Sequence, residues 1–206
     1  SNARGASGFE DETVQAAAKH IGEGYTTEED CLRNFYMYRT ANSGNKPVFM
    51  LDAHSDEVGF MVHSIRPNGT LRFVALGGWN VGSLASSKVL VRNSEGKYLP
   101  GVIAAKPVHF MSASEKASAG AADISSLSID IGAVSAKDAA ENFKIRTGEP
   151  VLPDVTLEYD EEHDLMFGKA FDCRIGCAAL IETLRRLRDE KLDVDVVGVL
   201  SSQEEV

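Results

Sequence analysis

The sequence has few cysteines, few basic residues and no long apolar run, and each of these deficits excludes a class of protein. Three cysteines in 206 residues are too few for a disulfide framework, so we expect a reducing, cytoplasmic setting. The 21 lysines and arginines face 31 acidic residues, and the resulting net charge of −10 argues against binding nucleic acid or an anionic membrane. No apolar stretch approaches the roughly 20 residues that cross a bilayer, so we expect neither a membrane anchor nor a secretory leader.

The pattern of hydrophobic residues changes twice along the chain. Residues 1–61 and 160–206 show the helix and strand signals of an α/β domain, and residues 62–159 show short strand-like runs divided by turn residues. Residues 1–3 resemble the remnant of an affinity tag and are left out of the fold argument. We therefore expect an α/β domain in two parts, interrupted by an inserted small β-barrel.

The turn chemistry of the insert is specific. Residues 65–71 contain Asn-Gly and predict a hairpin, and residues 89–99 predict a second one. Residues 128–131 alternate like a half-buried strand, and Ser135 opens a capping box before a short helix. Residues 111–126 are rich in Ser, Ala and Gly and predict a mobile loop.

The first part of the α/β domain contains a metal-site candidate. Residues 47–51 form an apolar run that predicts a strand buried on both faces of a parallel sheet, and His54 and Asp56 follow at its carboxyl end, where ligands bind. Residues two apart in an extended chain point to the same side, so these side chains would share a face. Asp56 would ligate a metal or fix the tautomer of His54, and the alternative is a solvated strand end.

Two further acidic positions follow later elements. Asp172 precedes an amphipathic helix predicted for residues 177–187, and its alternative role is to cap that helix. Residues 194–200 predict a second buried parallel strand, which delivers Glu204 and Glu205 at its carboxyl end. Adjacent carboxylates repel, so crowding them there is costly without a cation, although a solvated loop is the alternative.

The three positions together favour a metal centre more than any one of them does. Imidazole and carboxylate ligands suit zinc, cobalt or manganese. A bridging Asp next to a Glu–Glu pair suits a two-metal hydrolase, in which one Glu ligates and the other takes a proton from the attacking water. Cys173 and Cys177 are spaced i,i+4 as in a helix, unlike a Cys-x-x-Cys zinc motif.

Several motifs make the sequence resemble the glutamyl and deblocking aminopeptidases, a family that includes the tetrahedral TET peptidases. The main ones are Ala-His-Ser-Asp-Glu-Val-Gly at 53–59, Phe-Asp-Cys-Arg-Ile-Gly at 171–176 and Ser-Gln-Glu-Glu-Val at 202–206. Residues 7–12, 106–109 and 129–133 are also similar. The resemblance covers nearly the whole chain, with the motifs in order.

The resemblance implies a phosphorylase/hydrolase-like catalytic domain, a β-barrel used in assembling dimers into a tetrahedral shell, and hydrolysis of N-terminal residues from short peptides. It also implies two divalent metals, zinc or cobalt, with manganese as an alternative. By motif position, His54 would ligate one metal, Asp172 would bridge both, and Glu205 would ligate the other. Glu204 would be the general base, and Asp56 would orient His54.

The sequence departs from the family pattern in two places. At 30–34 it reads Asp-Cys-Leu-Arg-Asn, where the family often has an Asp followed by Leu-Gly-Asn. Family members also continue past the Glu–Glu pair and supply a further Asp and His. The resemblance therefore implies a truncated catalytic domain with incomplete metal sites, inactive alone.

Two other functions remain open at this point. A non-catalytic assembly or binding protein would use the β insert and keep a vestigial metal site. A glycoside hydrolase, the activity that a cellulase label on some family members suggests, needs two carboxyls roughly 5–9.5 Å apart across a sugar. That reading gives His54 and Asp172 no role.

Overall fold

Residues 1–112 and 123–206 are described by a computed structural model, in which the chain divides into two compact units. Residues 1–57 and 156–206 form the first, which we call the sheet unit, and residues 58–155 form the second, the barrel unit. The insert expected at 62–159 overlaps the barrel unit. Each unit is described by itself below.

The regular elements follow one another in the order helix, three strands of the sheet unit, the barrel strands, then a hairpin, a helix and a strand. The helices are α1 (Asp11–Ile21), α2 (Ala136–Glu141) and α3 (Phe171–Leu187). The strands are β1 (Tyr25–Glu29), β2 (Phe35–Arg39), β3 (Val48–His54), β4 (Gly59–Ile65), β5 (Leu71–Leu76), β6 (Lys88–Arg92), β7 (Tyr98–Ala104), β8 (Ser128–Asp130), β9 (Pro150–Pro153), β10 (Glu158–Asp160), β11 (Leu165–Phe167) and β12 (Asp195–Ser201). None of the helices in the described ranges is both long enough and apolar enough to cross a bilayer.

The sheet unit is built on a mixed sheet in the order β1-β2-β12-β3. Strand β12 runs parallel to β3, as predicted, and antiparallel to β2. Helices α1 and α3 bury apolar side chains in one core with the sheet, and α3 does so through the face predicted from its sequence. The core they share contains Val14, Ala17, Ile21, Met37, Cys177, Leu180, Leu184, Val196 and Leu200. The sheet and these helices hold the parallel strand ends in place.

The prediction that β3 is buried on both faces is wrong. Val48, Phe49 and Met50 are 67%, 55% and 60% exposed, and only Ala53 of the strand is fully buried. Within the described residues β3 pairs with β12 alone, so it lies at the sheet edge. An apolar run indicates what a strand can bury, but not whether a neighbouring element covers it.

A turn precedes β2. The strand begins at Phe35, because Asp30 accepts hydrogen bonds from the backbone N–H groups of Leu32 and Asn34 and holds residues 30–34 in the turn. The β10–β11 hairpin and strand β1 were not predicted. Strand β1 reads Tyr-Thr-Thr-Glu-Glu and is mostly exposed, so it has no apolar alternation to reveal it.

In the barrel unit, six strands of the described residues close in the order β4-β5-β8-β7-β6-β9. Both predicted hairpins are present as β4–β5 and β6–β7. Ser135 caps α2 by accepting the N–H of Asp138, as predicted. Phe60 stacks on Trp79 at 4.6 Å and meets Phe73 edge-on at 5.1 Å inside the barrel. Most of the mobile loop predicted at 111–126 lies outside the described residues, and Ile124–Ser126 form a 3-10 turn.

Candidate metal centre

The carboxyl ends of β3 and β12 meet because the two strands are parallel and in register. His54 lies opposite Ser201, and the backbone N–H of Ser55 donates to Ser201 O at 2.7 Å beyond the last pair. The chain after β12 therefore passes directly beside the chain after β3. This brings the two predicted acidic positions, at residues 54–56 and 204–205, to one edge of the sheet.

Asp172 approaches the same edge from the start of α3. The backbone of Asp172 and Cys173 departs from helical geometry, and Ala170 precedes the helix without a side-chain capping bond. The carboxylate of Asp172 is 86% exposed, and its Oδ1 lies 3.0 Å from His54 Nε2. Asp172 thus points towards the histidine instead of capping its own helix, which was its alternative role.

Two overlapping groups of side chains offer ligand atoms to a cation. His54, Asp172 and Cys173 form one group, and His54, Glu204 and Glu205 form the other, with ligand atoms within 4.8 Å of one another in each. In residues 1–112 and 123–206, no lysine or arginine forms an ion pair with Asp172, Glu204 or Glu205. Crowded carboxylates beside an imidazole, without a cationic side chain, fit a divalent metal.

Asp56 holds this edge together from beneath its surface. It is fully buried, and its two oxygens accept the backbone N–H of Glu204 at 3.2 Å and of Glu205 at 2.9 Å. Its Oδ1 is 3.4 Å from His54 Nδ1. Burial alone would raise the pKa of Asp56, but hydrogen bonds from Ser7 and from these two backbone groups outweigh it, and the pKa is lowered. Asp56 therefore stays ionised, and it bonds both to Ser7 in the N-terminal segment and to the backbone of Glu204 and Glu205.

The histidine and one glutamate respond to the crowding of negative charge. Burial lowers the pKa of His54, but the hydrogen bond to Asp172 and the charges of Asp56 and Glu204 more than compensate, so the net shift is upward. Burial and the charge of Glu204 raise the pKa of Glu205. The raised pKa of His54 shows that the surrounding carboxylates stabilise positive charge at this edge, whereas that of Glu205 reflects burial first and the neighbouring carboxylate second.

Ser7 and Glu10 support the edge from the N-terminal segment, a role that was not predicted from the sequence. Ser7 Oγ lies 2.6 Å from both Asp56 Oδ2 and the backbone O of Glu205, and it can donate to either. Glu10 is fully buried, and its Oε1 accepts the N–H of Gln203 at 3.1 Å. Only the family resemblance at residues 7–12 could have drawn attention to them, because their partners lie almost 200 residues away.

A buried ion cluster lies beside Asp56 along the chain. Lys169 Nζ is 2.7 Å from both carboxylate oxygens of Glu57, and Arg174 Nη2 is 3.7 Å from one of them. All three side chains are less than one-tenth exposed. The N–H of Gly5 also donates to Glu57 at 3.2 Å. The cluster ties the N-terminal segment and the start of α3 to the end of β3.

Comparison with known sequences identifies relatives of the chain. The sequence profile of the M42 glutamyl aminopeptidase family matches residues 34–206. The chain is 33% identical to a glutamyl aminopeptidase of Lactococcus lactis subsp. cremoris (strain MG1363), over 92% of this chain and 53% of that protein. The match covers 45% of the putative aminopeptidase FrvX and 40% of the putative aminopeptidase SgcX, both of Escherichia coli (strain K12). The chain therefore spans about half the length of the curated relatives it matches.

Solved structures give the same assignment. A TET aminopeptidase from the marine sediment archaeon Thaumarchaeota archaeon SCGC AB-539-E09 superposes with a TM-score of 0.91 at 33% identity, over 99% of this chain and 56% of that one. The TET1 peptidase of Pyrococcus horikoshii, described as assembling into a tetrahedron or a large octahedral shell, superposes with a TM-score of 0.86 at 27% identity. It is covered over 59% of its length, and this chain over 100%. The chain therefore has the fold of the corresponding part of these peptidases.

Proposed function

Since the chain belongs to the M42 glutamyl aminopeptidase family, we propose that its acidic sheet edge forms part of the metal-dependent active centre of an aminopeptidase. The reaction would be hydrolysis of N-terminal residues from short peptides. One observation carries the proposal. Ligand atoms of His54 lie within 4.8 Å of those of Asp172 and Cys173 in one group and of Glu204 and Glu205 in another, with no lysine or arginine paired to the carboxylates in the described residues.

The donor set decides which cations suit the site. His54 Nε2 and the carboxylate of Asp172 would hold one ion, Asp172 would bridge to a second, and Glu205 would complete the part of the second site that this chain provides. An imidazole with oxygen donors suits zinc or cobalt, and manganese is the alternative. The Asp56 carboxylate, 3.4 Å from His54 Nδ1, would keep the proton on that nitrogen and leave Nε2 free to bind.

Glu204 is the residue we assign to proton transfer. Its neighbour Glu205 is the less exposed of the two and has a raised pKa, whereas the Glu204 side chain is open to solvent and to an incoming substrate. A divalent cation, when bound, acidifies water and polarises the peptide carbonyl. Glu204 would accept the proton of the attacking water and return it to the leaving amine. Asp56 would keep both glutamates in position through their backbone N–H groups.

A glycoside hydrolase is disfavoured by the spacing of the acids. Its two carboxyls need to stand roughly 5–9.5 Å apart on either side of a sugar. Glu204 and Glu205 have ligand atoms within 4.8 Å of each other and of His54. Glycoside hydrolysis by these two acids would also leave His54 and Asp172 without a part in the chemistry.

We also propose that the barrel unit makes subunit contacts in a homo-oligomer, with dimers building a tetrahedral shell. The support is the TET1 peptidase of similar fold, which is described as assembling into a tetrahedron or an octahedral shell. A cytoplasmic location stays a prediction from the cysteine content. Light scattering on the chain should give a mass above that of a monomer, and a monomer at high concentration would contradict the proposal.

Metal analysis combined with a peptidase assay on the full-length gene product tests the catalytic proposal. We expect peptide hydrolysis that is lost on dialysis against a chelator and restored by zinc, cobalt or manganese. The isolated 206-residue chain should bind these ions weakly, because the described residues supply few ligands to each position. A chelator-resistant activity, or a metal-loaded full-length protein that hydrolyses no peptide, would favour the alternative of a non-catalytic assembly protein with a vestigial site.

A further inference from the structure

Two cysteines of α3 lie close to His54, and their surroundings differ. Cys177 is buried, its Sγ donates to the backbone O of His54 at 3.1 Å, and burial raises the pKa of its thiol to about 11. Cys173 is half-buried, and its Sγ lies within 4.8 Å of ligand atoms of both His54 and Asp172. Cys177 is therefore held as a thiol that supports the backbone, whereas Cys173 stands among groups that bind cations.

The local backbone places the sulfur of Cys173 at this position. Asp172 and Cys173 both depart from helical geometry, so their two side chains reach the same edge of the sheet although they are adjacent in sequence. Gly176 makes room for the sulfur. A Cβ atom at position 176 would stand 3.3 Å from the Cβ of Ala53 and only 2.5 Å from Cys173 Sγ. The second distance is too short for a real contact, so a larger residue at 176 would displace the sulfur.

We propose that Cys173 Sγ is a metal ligand, which completes a nitrogen, oxygen and sulfur donor set with His54 and Asp172. This inference rests on the metal centre proposed above and assigns a ligand that was not predicted from the sequence. The i,i+4 spacing of Cys173 and Cys177 is unlike a Cys-x-x-Cys zinc motif, but only Cys173 is needed here. The thiolate is the form that binds a cation, so the thiol proton passes to solvent on binding.

A sulfur ligand changes which cations the site selects. Thiolates favour soft and borderline ions such as cadmium and zinc, whereas sets of imidazole and carboxylate alone accept manganese readily. With Cys173 as a ligand, the position held by His54 and Asp172 is specific for zinc-like ions. The position near Glu204 and Glu205 keeps oxygen donors and is less selective.

Cobalt(II) titration of the 206-residue chain reads this ligand directly, without any activity assay. Visible absorption bands report cobalt bound to the protein, and a separate near-ultraviolet charge-transfer band reports a cobalt–sulfur bond. The background protein carries Cys31→Ser, because Cys31 is exposed and could bind cobalt non-specifically. Cys173→Ser and Cys173→Asp are the test variants, and Cys177→Ser, in the same helix, is the matched control.

We expect the background protein and the Cys177→Ser variant to show both kinds of band. Cys173→Ser and Cys173→Asp should lose the near-ultraviolet band and keep the visible ones, which also shows that they are folded. Visible bands without a near-ultraviolet band in the background protein would overturn the assignment of Cys173 while leaving the metal centre intact. Survival of the near-ultraviolet band in both Cys173 variants would also overturn it. If the background protein and a His54→Ala variant give identical cobalt spectra, the metal centre itself is rejected, and this proposal with it.

Binding selectivity gives a second readout. Removing a residue that only hydrogen-bonds to a metal ligand already weakens metal binding by ~10–100-fold. Losing a sulfur that binds the metal directly should therefore raise the cadmium dissociation constant of Cys173→Ser by at least ~10-fold. The manganese dissociation constant should change much less, because oxygen and nitrogen donors dominate its binding. An equal loss for both ions would mean that Cys173 acts only as a packing residue, and would overturn the proposal.

Discussion

The sheet unit and the barrel unit fill their interiors with different chemistry. Among the described residues, the sheet unit buries nine polar or charged side chains, and the barrel unit buries one, Asn93. The nine are Ser7, Glu10, Thr13, Arg39, Ser55, Asp56, Glu57, Arg174 and Asp195. Asn93 serves the β6–β7 turn, where its side chain accepts the N–H groups of Glu95 and Lys97.

This difference agrees with the proposal that the metal centre lies in the sheet unit. A buried charge is costly unless it is paired or hydrogen-bonded, so a fold that needs only stability has no reason to keep many of them. In the sheet unit the buried acids Asp56 and Glu10 bond to the segment that carries Glu204 and Glu205, and Glu57 pairs with Arg174, two residues after Asp172. The barrel core is made of aromatic and aliphatic side chains, as expected of a scaffold.

The largest expected effect is on catalysis and comes from the sheet unit. In the full-length gene product, Glu204→Gln should lower the rate of peptide hydrolysis by ~10²–10⁴-fold at nearly unchanged metal content, because Gln keeps the shape of the side chain but accepts no proton. Glu205→Gln should instead lower the occupancy of one metal, with activity partly restored by excess ion. Rate assays paired with elemental analysis check both variants. Metal loss in Glu204→Gln with retention in Glu205→Gln would reverse the two roles.

The next effect is on stability and tests the buried charge of the sheet unit. Glu57→Gln leaves Lys169 and Arg174 buried without their counter-charge, and breaking a buried pair in this way costs about 3–5 kcal/mol. Glu182→Gln is the matched control, since Glu182 pairs with Arg186 on the exposed face of α3 and its loss should change little. Denaturant unfolding compares the two variants. Equal midpoints would show that the Glu57 cluster contributes no more than a surface pair.

How far the sequence predicts this contrast depends on the range of the contacts involved. The Asn68-Gly69 turn and the Ser135 cap are local, and their elements form where predicted. The structure places His54 next to the two glutamates because parallel strand ends have to meet at one edge, and next to Asp172 because the start of α3 approaches the same edge. Their individual roles stay predictions.

The features that could not be predicted from the sequence depend on distant partners. Ser7 and Glu10 bond to residues at the far end of the chain, and nothing in their own neighbourhood indicates it. Cys173 reaches the site only because the first turn of α3 is irregular, whereas its spacing from Cys177 suggests a regular helix. The exposure of Val48 to Met50 depends on what covers the edge of the sheet, which an apolar run does not specify.

The stability of the barrel unit should depend on the volume of its core side chains, whereas that of the sheet unit depends on its buried charges. Ile129 is fully buried in the barrel core, and Ile129→Val removes one methylene group at a cost of about 0.5–1.5 kcal/mol. Val134→Ala, also in the barrel unit, is the control because Val134 is 82% exposed and its truncation leaves no cavity. Thermal unfolding of both variants provides the comparison. A change for Val134→Ala as large as that for Ile129→Val would mean that Val134 is covered in solution, as in a subunit interface.

The smallest expected effect concerns Glu10, and its sign depends on pH. Burial raises the pKa of Glu10, and the bonds from the N–H groups of Gly8 and Gln203 offset this only in part. A carboxyl whose folded pKa is raised contributes most to stability below its unfolded pKa, near 4.5, and that contribution is lost as the pH rises through the folded pKa.

Glu10→Gln removes this ionisation and keeps an oxygen for both N–H groups. It should therefore stabilise the chain at pH 7 relative to the original, by less than about 1 kcal/mol, and the gain should shrink towards pH 4. Glu12→Gln, in the first turn of α1 and half-exposed, is the control. A gain that does not vary between pH 4 and pH 7 would show that the buried charge of Glu10 has no part in it.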